Sequence, residues 1–297
     1  MSSAAVVTPD CGRSGVTPVR HALSPSTLEW VLRAGAFLCF AGHGAFGIIT
    51  KQQWLPYFSV AGIEPRTAYE LMPIIGVMDV TMGCVMLIRP APIVACWMIV
   101  WGIWTALLRP LSGEPIWEMV ERAGNYGVPA VFALLMPFPR SVRNLLCAVH
   151  LRPLTPEILI AARRLLTATV VLLLLGHGAL GALGKHGLAV NYASVLPAET
   201  ATLLTPYLGW LEIALAAAVA VWQEPAALVA VAGWKIATEA LFVTAGAPIW
   251  EVVERGGSYV APLALALVVA MIHRRANEDA LAAPMQLPSS QPARQGS

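Results

Sequence analysis

A twelve-residue stretch rich in charged and aromatic side chains occurs twice in this chain. Residues 115–126 (PIWEMVERAGNY) return as residues 248–259 (PIWEVVERGGSY), and nine of the twelve positions are identical. Each copy opens an apolar stretch long enough to cross a membrane, where ionisable side chains are costly unless paired and usually mark a site. The repeated stretch supplies these candidates for ligand binding or proton transfer: Glu118, Glu121, Arg122, Asn125, Tyr126, Glu251, Glu254, Arg255 and Tyr259.

A second set of polar residues repeats in the same order. Gly-His-Gly occurs at 42–44 and again at 176–178, and a lysine and an acidic residue follow each copy at matching distances. The offset is 134 residues at the histidines and 133 further along, so the halves differ by one inserted residue. Chance similarity between apolar segments would not reproduce rare residues in order, so the chain is predicted to be a tandem duplication. This set adds the candidates His43, Lys51, Asp79, His177, Lys185 and Glu212.

Each of these features also has a structural alternative. Glu118 and Arg122 are spaced to form an ion pair within one helix, and Glu121 could pair with His43 or Lys51, so the network could simply lock helices together. Two carboxylates per arginine leave one acid that must find another partner, take up a proton or bind something. A buried, hydrogen-bonded acid is the favoured interpretation of both Asp79 and Glu212.

The glycines around each histidine have two interpretations as well. They could allow a close helix crossing, or they could clear space for a planar ligand beside an imidazole. A haem held by His43 and His177 is geometrically conceivable, but two lone histidines are too weak a pattern for haem or for a metal site to be expected. In the second half, Lys235 and Glu239 are spaced to neutralise each other.

The composition defines the class of protein that carries these residues. The chain is 57% hydrophobic and 12% charged, against roughly 25% charged residues in soluble domains. This composition is typical of a multi-pass protein of the lipid bilayer. The net charge of +2 and the lack of a basic patch argue against nucleic-acid binding. The five cysteines show no CxxC spacing, which argues against thiol-redox chemistry.

Eight apolar segments, each near the ~20 residues that span a bilayer, are predicted to be helices. They form two four-helix units, residues 28–137 and 157–272, joined by a basic linker at 138–156. Residues 1–27 and 273–297 are predicted to be disordered tails because they are polar and rich in Pro and Ser. The eight segments are 28–49, 68–88, 91–108, 115–137, 157–183, 199–222, 225–243 and 248–272.

Four crossings per unit place both units in the same orientation, as parallel repeats. Arginines cluster on the N-terminal side, in the linker and after residue 272, so both termini are predicted to be cytoplasmic, with the protein in the inner membrane.

His43 and Arg122 should then lie at one level, about 9–10 Å deep in the membrane at 1.5 Å per residue. Glu118, Glu121, Arg122 and Asn125 should form one polar stripe of roughly 100° on the fourth helix. Trp54, Trp104 and Trp117 are assigned to the interface with lipid headgroups.

The unit resembles the DoxX-like membrane family. The resemblance rests on Gly and Lys ending the first helix, the aromatic loop 51–58 (KQQWLPYF), and the Gly/acid pair Gly76 and Asp79, matched by Gly209 and Glu212. It covers residues 28–137 and, with fewer matches, 157–272. The fused double unit and the Gly-His-Gly histidines depart from that family's pattern. The resemblance implies a four-helix bacterial membrane unit linked to quinone-dependent sulfur oxidation or to redox assembly.

Two functions are compatible with these residues. In the first, the protein is a membrane subunit of a quinone-linked oxidoreductase system, with histidines and arginines donating to carbonyl oxygens and glutamates accepting protons. Other subunits of that redox complex would then be its partners. In the second, it is a carrier or binding protein for a small polar solute or protons. The sequence does not decide between them, nor whether the protein is an enzyme.

Overall fold

The protein is built from helices, and residues 24–282, which the computed structural model describes, contain no β-strand. The first half holds α1 (Pro25–Ile48), a 3₁₀ turn (Gln52–Trp54), α2 (Leu55–Val60), α3 (Pro65–Ile88), α4 (Pro92–Leu111), α5 (Trp117–Val120) and α6 (Ala123–Leu135). The short helix α7 (Val142–Leu146) lies in the connection. The second half holds α8 (Pro156–Ala182), α9 (His186–Ala193), α10 (Ala198–Val221), α11 (Pro225–Thr244), α12 (Trp250–Glu254) and α13 (Gly256–Ala282).

Seven of these helices are long and apolar enough to cross a membrane: α1, α3, α4, α8, α10, α11 and α13. The predicted continuous helix over 115–137 is instead divided into α5 and α6, with Glu121 and Arg122 between them. Its counterpart is divided at Arg255, between α12 and α13. The single polar stripe expected for an unbroken fourth helix is therefore wrong. The breaks fall where each charged stretch meets the first helix of the other half.

Helix extends into both predicted tails, because the first long helix begins at Pro25 and the last ends at Ala282. Residues 1–23 and 283–297, which form most of the two predicted tails, lie outside the described residues. Helix α13 continues to Ala282, ten residues beyond the predicted end of the last segment at 272. The helical part of this extension contains the pair Arg274–Glu278, whose Nε and Oε1 lie 2.7 Å apart at helical i,i+4 spacing.

Local sequence explains where the long helices begin and end. Proline occupies the first turn of α1, α3, α4, α8 and α11, where its missing N–H costs nothing. Helix α1 is also capped by Ser24, whose Oγ accepts from the Thr27 amide at 3.1 Å. At the other end of α1 and α8, Thr50 (φ 56°) and Gly184 (φ 70°) adopt a left-handed conformation. Each is followed at once by a lysine, so the helix end positions Lys51 and Lys185.

The two halves pack through each other's helix breaks. A Cβ atom on Gly42 of α1 would lie 2.2 Å from the amide nitrogen of Glu254, and one on Gly176 of α8 would lie 2.1 Å from that of Glu121. Only glycine permits backbones to approach this closely. The glycines beside the histidines therefore mark close helix crossings, as the structural alternative predicted. Each half positions the charged turn of the other.

A single large apolar core joins the halves around α1, α6, α8 and α13. Its fully buried members include Leu32, Phe132, Leu166 and Leu265. The charged turns lie at one end of this core. They are therefore held on both sides by packed helices and not by flexible loops.

Candidate functional site

The charged turns line an open cleft of about 490 Å³ between the halves. Lys51 Nζ lies 2.6 Å from Glu251 Oε1 across the boundary between the halves. Lys185 makes the reciprocal ion pair with Glu118. Because each lysine follows the first helix of its own half and pairs with the charged turn of the other, the two halves exchange one ion pair each.

The arginines of the repeated stretch hold the remaining acids. Arg122 Nη1 lies 3.2 Å from Glu118 Oε2, as predicted from their spacing, and 2.5 Å from Glu121 Oε1. Arg255 forms an ion pair with Glu251 and places its Nε 3.1 Å from Glu239 Oε2. The suggestion that Glu121 pairs with His43 or Lys51 is wrong, because α1 packs against the opposite half and brings Lys51 to Glu251 instead.

Glu254 differs from the other acids of the cleft. It is buried, at 6% exposure, yet its carboxylate has no hydrogen bond and no ion-pair partner within 4 Å among residues 24–282. Its counterpart Glu121 is paired with Arg122, whereas Arg255 turns away from Glu254 toward Glu251 and Glu239. The second half therefore leaves one carboxylate available to a ligand.

Both histidines are fixed by the buried acid of the following helix. His43 Nδ1 lies 2.7 Å from Asp79 Oδ2, and His177 Nδ1 hydrogen-bonds Glu212 Oε2. Asp79 and Glu212 are therefore hydrogen-bonded buried acids, as expected. A carboxylate at Nδ1 orients the ring and leaves Nε2 to accept or donate a proton. The His43 side chain keeps 19% of its surface exposed and the His177 side chain 9%.

A cavity of about 170 Å³ opens beside His43. Its walls are largely aromatic and aliphatic, and His43, Arg122, Asn125 and Glu254 supply polar groups. A cavity of roughly 150 Å³ is large enough for a benzene-sized ring. The aromatic wall residues are Trp54, Tyr57, Phe58, Trp101 and Trp104.

Trp54 contacts the histidine directly. Its ring stacks on His43 with centroids 4.5 Å apart and an angle of 27° between the planes. Trp54 is 6% exposed, so its assignment to the headgroup interface is wrong. Residues 52–60 fold back as a 3₁₀ turn and α2 and cover the end of α1, which buries this tryptophan against the imidazole.

The rim of the cavity is closed by a small polar cluster. Tyr57 donates its hydroxyl hydrogen to Glu114 Oε1 at 2.5 Å, and Arg109 Nη1 lies 3.1 Å from Glu114 Oε2. The guanidinium of Arg109 also lies over the Tyr57 ring, 5.1 Å from its centroid. Burial, reinforced by the hydrogen bond to Glu114, raises the pKa of Tyr57 above its ordinary value. The phenol therefore remains a hydrogen-bond donor at neutral pH.

The second half fills the corresponding place with its own side chains. At the 133-residue offset, Lys235 stands where the first half has Gly102, and Glu239 stands where it has Ala106. Lys235 Nζ lies 3.1 Å from Glu239 Oε1, as their spacing predicted, and 3.5 Å from Glu212 Oε1. The Lys235–Glu239 salt bridge accordingly lies beside Glu212, the acid that holds His177.

The structure gathers most of the predicted site residues but divides them between two spaces. Seven line the cleft: Lys51, Glu118, Arg122, Lys185, Glu251, Glu254 and Arg255. Four line the cavity: His43, Arg122, Asn125 and Glu254. Asp79 stands behind His43, and Glu121 is held by Arg122. His177 and Glu212 pair with each other in the second half.

The two predicted tyrosines play a packing role. Tyr126 packs partly buried against the central core. The Tyr259 hydroxyl donates to the backbone oxygen of Val252 at 3.3 Å. Most other residues of the cavity and its rim were not predicted, among them Tyr57, Trp101, Arg109 and Glu114. The aromatic loop and the repeated tryptophan were visible, but nothing in the sequence showed that they face one histidine.

The seven apolar helices have the length and composition of a multi-pass membrane protein. No family model matches the chain, and neither a curated protein nor a solved structure matches it. The function must therefore be argued from the cavity and the cleft themselves.

Proposed function

We propose that the chain crosses the bacterial inner membrane eight times as a tandem duplication of a four-helix unit, with both termini cytoplasmic. Two repeated features support the duplication: each first helix ends in a left-handed residue followed by a lysine, and each histidine is held by the acid of the next long helix. Helices α5 and α6 together make up the crossing that neither is long enough to make alone. The basic linker around Arg143 supports the orientation.

Reporter fusions test this topology. Fusions after Arg143 and at the C-terminus are both expected to report a cytoplasmic location, because each four-helix unit returns the chain to the side on which it began. A periplasmic signal at either position would contradict the eight crossings and the orientation together. A fusion after Ser112, in the loop between α4 and α5, serves as the control and should report the periplasm.

We further propose that the cavity beside His43 binds the ring of a lipid-soluble quinone, and that the protein is the membrane subunit of a quinone-linked oxidoreductase system. The observation that carries this proposal is the His43–Asp79 pair, at 2.7 Å, set in a cavity of ring size with aromatic walls. Flat aromatic walls favour a planar ring, and a few convergent polar groups orient it. The resemblance to DoxX-like proteins supports the same class of ligand.

The residues around the cavity are suited to moving a proton at a ring oxygen. Asp79 holds Nδ1 of His43, so Nε2 can accept a proton from a hydroxyl or return it. Arg122 and Asn125 can donate hydrogen bonds to a carbonyl oxygen. Glu254 is a second carboxylate at the same cavity, and it continues into the open cleft. A bound quinone would supply the two-electron chemistry, and a partner subunit would exchange the electrons.

Matched histidine variants test the proposal. Binding of a short-chain benzoquinone to the purified protein, measured by titration calorimetry in mild detergent, is expected to weaken about tenfold in His43→Gln, since leaving a buried polar group unpaired costs about 1–3 kcal/mol. His177→Gln breaks the equivalent histidine–acid pair in the second half and should leave the affinity within about twofold. Equal losses in both variants, or no binding to the wild-type protein, would refute the quinone site.

A carrier of a small polar solute or of protons is the second candidate function. The cleft of about 490 Å³ favours it, because five basic and four acidic side chains line an open space. Glu254 lies there with no ion-pair partner within the described residues 24–282. Uptake into vesicles that depends on a pH gradient, together with normal uptake by the His43→Gln variant, would favour the carrier over the quinone subunit.

A further inference from the structure

In the second half, protein side chains occupy the space beside the buried acid Glu212. Trp234 Nε1 donates to Glu212 Oε1 at 2.8 Å, and Lys235 Nζ lies 3.5 Å from the same oxygen. Glu212 Oε2 is bound to His177. Both carboxylate oxygens of this acid therefore have partners within the protein.

The first half keeps the corresponding residues but leaves two of their polar atoms without partners. Asp79 is fully buried, and its Oδ1 has no hydrogen-bond partner among residues 24–282. The same holds for the buried Nε1 of Trp101, the counterpart of Trp234. Aspartate is one methylene shorter than glutamate, so its oxygen does not reach the indole. One buried acceptor and one buried donor are thus left over, which is costly unless a third group bridges them.

Space for such a group lies beside Gly102. A small space of about 10 Å³ shares four of its lining residues with the larger cavity. Its lining residues are Cys39, Phe40, His43, Trp101, Gly102, Thr105 and Asn125. About 10–15 Å³ is the room needed for one water-sized group. By analogy with Lys235, whose Nζ lies 3.5 Å from Glu212 Oε1 in the second half, we expect a group placed beside Gly102 to approach Asp79. This space is therefore the deep end of the ring cavity.

The charges of the two halves indicate what kind of group belongs there. The first half lacks both Lys235 and Glu239, with Gly102 and Ala106 in their places, so a cation and an anion are missing together. His43 is already paired with Asp79. No additional positive charge is therefore required, and the unpartnered atoms need a group that both donates and accepts. A hydroxyl group meets this requirement.

We propose that the deep end of the cavity is a subsite for a hydroxyl group of a neutral ring ligand, which donates to Asp79 and accepts from Trp101. This inference rests on the proposed quinone site and deepens it: the reduced, dihydroxy form of the ring is the one the first half recognises best. The second half carries no such subsite because Lys235 and Glu239 occupy it. Each chain would thus bind one ring ligand, in its first half.

Affinities of four ring compounds test the subsite. The wild-type protein, titrated under anaerobic conditions, is expected to bind a short-chain hydroquinone about tenfold or more tightly than its dimethyl ether, because the ether cannot donate to Asp79. The corresponding quinone should bind with intermediate affinity, and benzylammonium more weakly than the hydroquinone. Trp101→Phe removes the indole donor and should weaken hydroquinone binding about tenfold, whereas Trp234→Phe, the matched change in the second half, should leave it unchanged.

A double variant that introduces the ion pair of the second half into the first provides a second test of hydroquinone binding. Gly102→Lys combined with Ala106→Glu copies the second half into the first and should abolish hydroquinone binding. A Cβ atom on Gly102 would lie 3.2 Å from the Tyr126 Cβ, so the neighbours must shift by a few tenths of an ångström. Since this variant could fail to fold, the wild-type affinities decide the outcome.

Equal binding of the hydroquinone and its ether, or tighter binding of benzylammonium, would overturn the hydroxyl subsite but would not contradict the proposed ring site. Failure of every ring compound to bind would overturn both proposals.

Discussion

Replacing Arg122 with leucine is expected to destabilise the protein by about 3–5 kcal/mol, the usual cost of removing one partner of a buried ion pair. The main reason is Glu121, whose only ion-pair partner among residues 24–282 is Arg122, at 2.5 Å. Glu118 is less affected, because Lys185 and Arg109 also contact its carboxylate. Equilibrium or thermal unfolding of the purified variant in detergent measures the loss.

Two further variants identify the cause of that loss. Adding Glu121→Gln to Arg122→Leu removes the negative charge that the loss of Arg122 leaves unpaired, and should restore much of the stability. Arg66→Leu removes an exposed i,i+4 pair, whose atoms lie 3.5 Å apart, and should change stability by less than about 1 kcal/mol. If Arg122→Leu costs no more than Arg66→Leu, the charged turn is solvated and the network does not hold the halves together. A double variant that is stable but no longer binds ligand would show that the Arg122–Glu121 pair takes part in ligand binding.

Adding a single methyl group at Gly42 or Gly176 is expected to cost about 3 kcal/mol or more, the upper end of the usual penalty for overpacking. The added carbon would lie 2.1–2.2 Å from a backbone nitrogen of the opposite half, and backbone cannot move aside as a side chain can. Thermal unfolding of Gly42→Ala and Gly176→Ala measures the effect. Because these glycines position the turns that carry Glu254 and Glu121, ligand binding should weaken as well.

Gly233→Ala is the matched control for these substitutions. Gly233 lies within α11 and an added Cβ would meet nothing within 4 Å. Alanine should leave stability unchanged there or increase it by up to about 1 kcal/mol through helix propensity. If Gly42→Ala behaves like Gly233→Ala, the close crossing of α1 with the break before α13 is wrong.

The sequence predicted the long helices well, because apolar length is a local property. The predicted segment 225–243 corresponds to Pro225–Thr244, and 199–222 corresponds to Ala198–Val221. Ion pairs within one helix, such as Glu118–Arg122, followed directly from their spacing. The two broken helices were not predicted, because the break is imposed by a helix of the other half that packs against the turn.

Side-chain contacts between the two halves could not be predicted from local sequence patterns. Lys51 and Glu251 are 200 residues apart, and only the packing of α1 against α12 brings them together. The burial of Trp54 against His43 likewise depends on how residues 52–60 fold back. The difference between Gly102 and Lys235 was visible in the aligned repeats. Its consequence depends on the three-dimensional position of Lys235, whose Nζ lies 3.5 Å from the buried Glu212 Oε1.

The central claim is that a ring ligand binds beside His43 in the first half and not beside His177 in the second. A cryo-electron microscopy structure of the protein with saturating short-chain hydroquinone tests it most directly. The account predicts density for one ring between the Trp54–His43 stack and Trp101, with a ring oxygen at the deep end beside Gly102. Density beside Trp234 in the second half, or an empty first-half cavity at saturation, would contradict it.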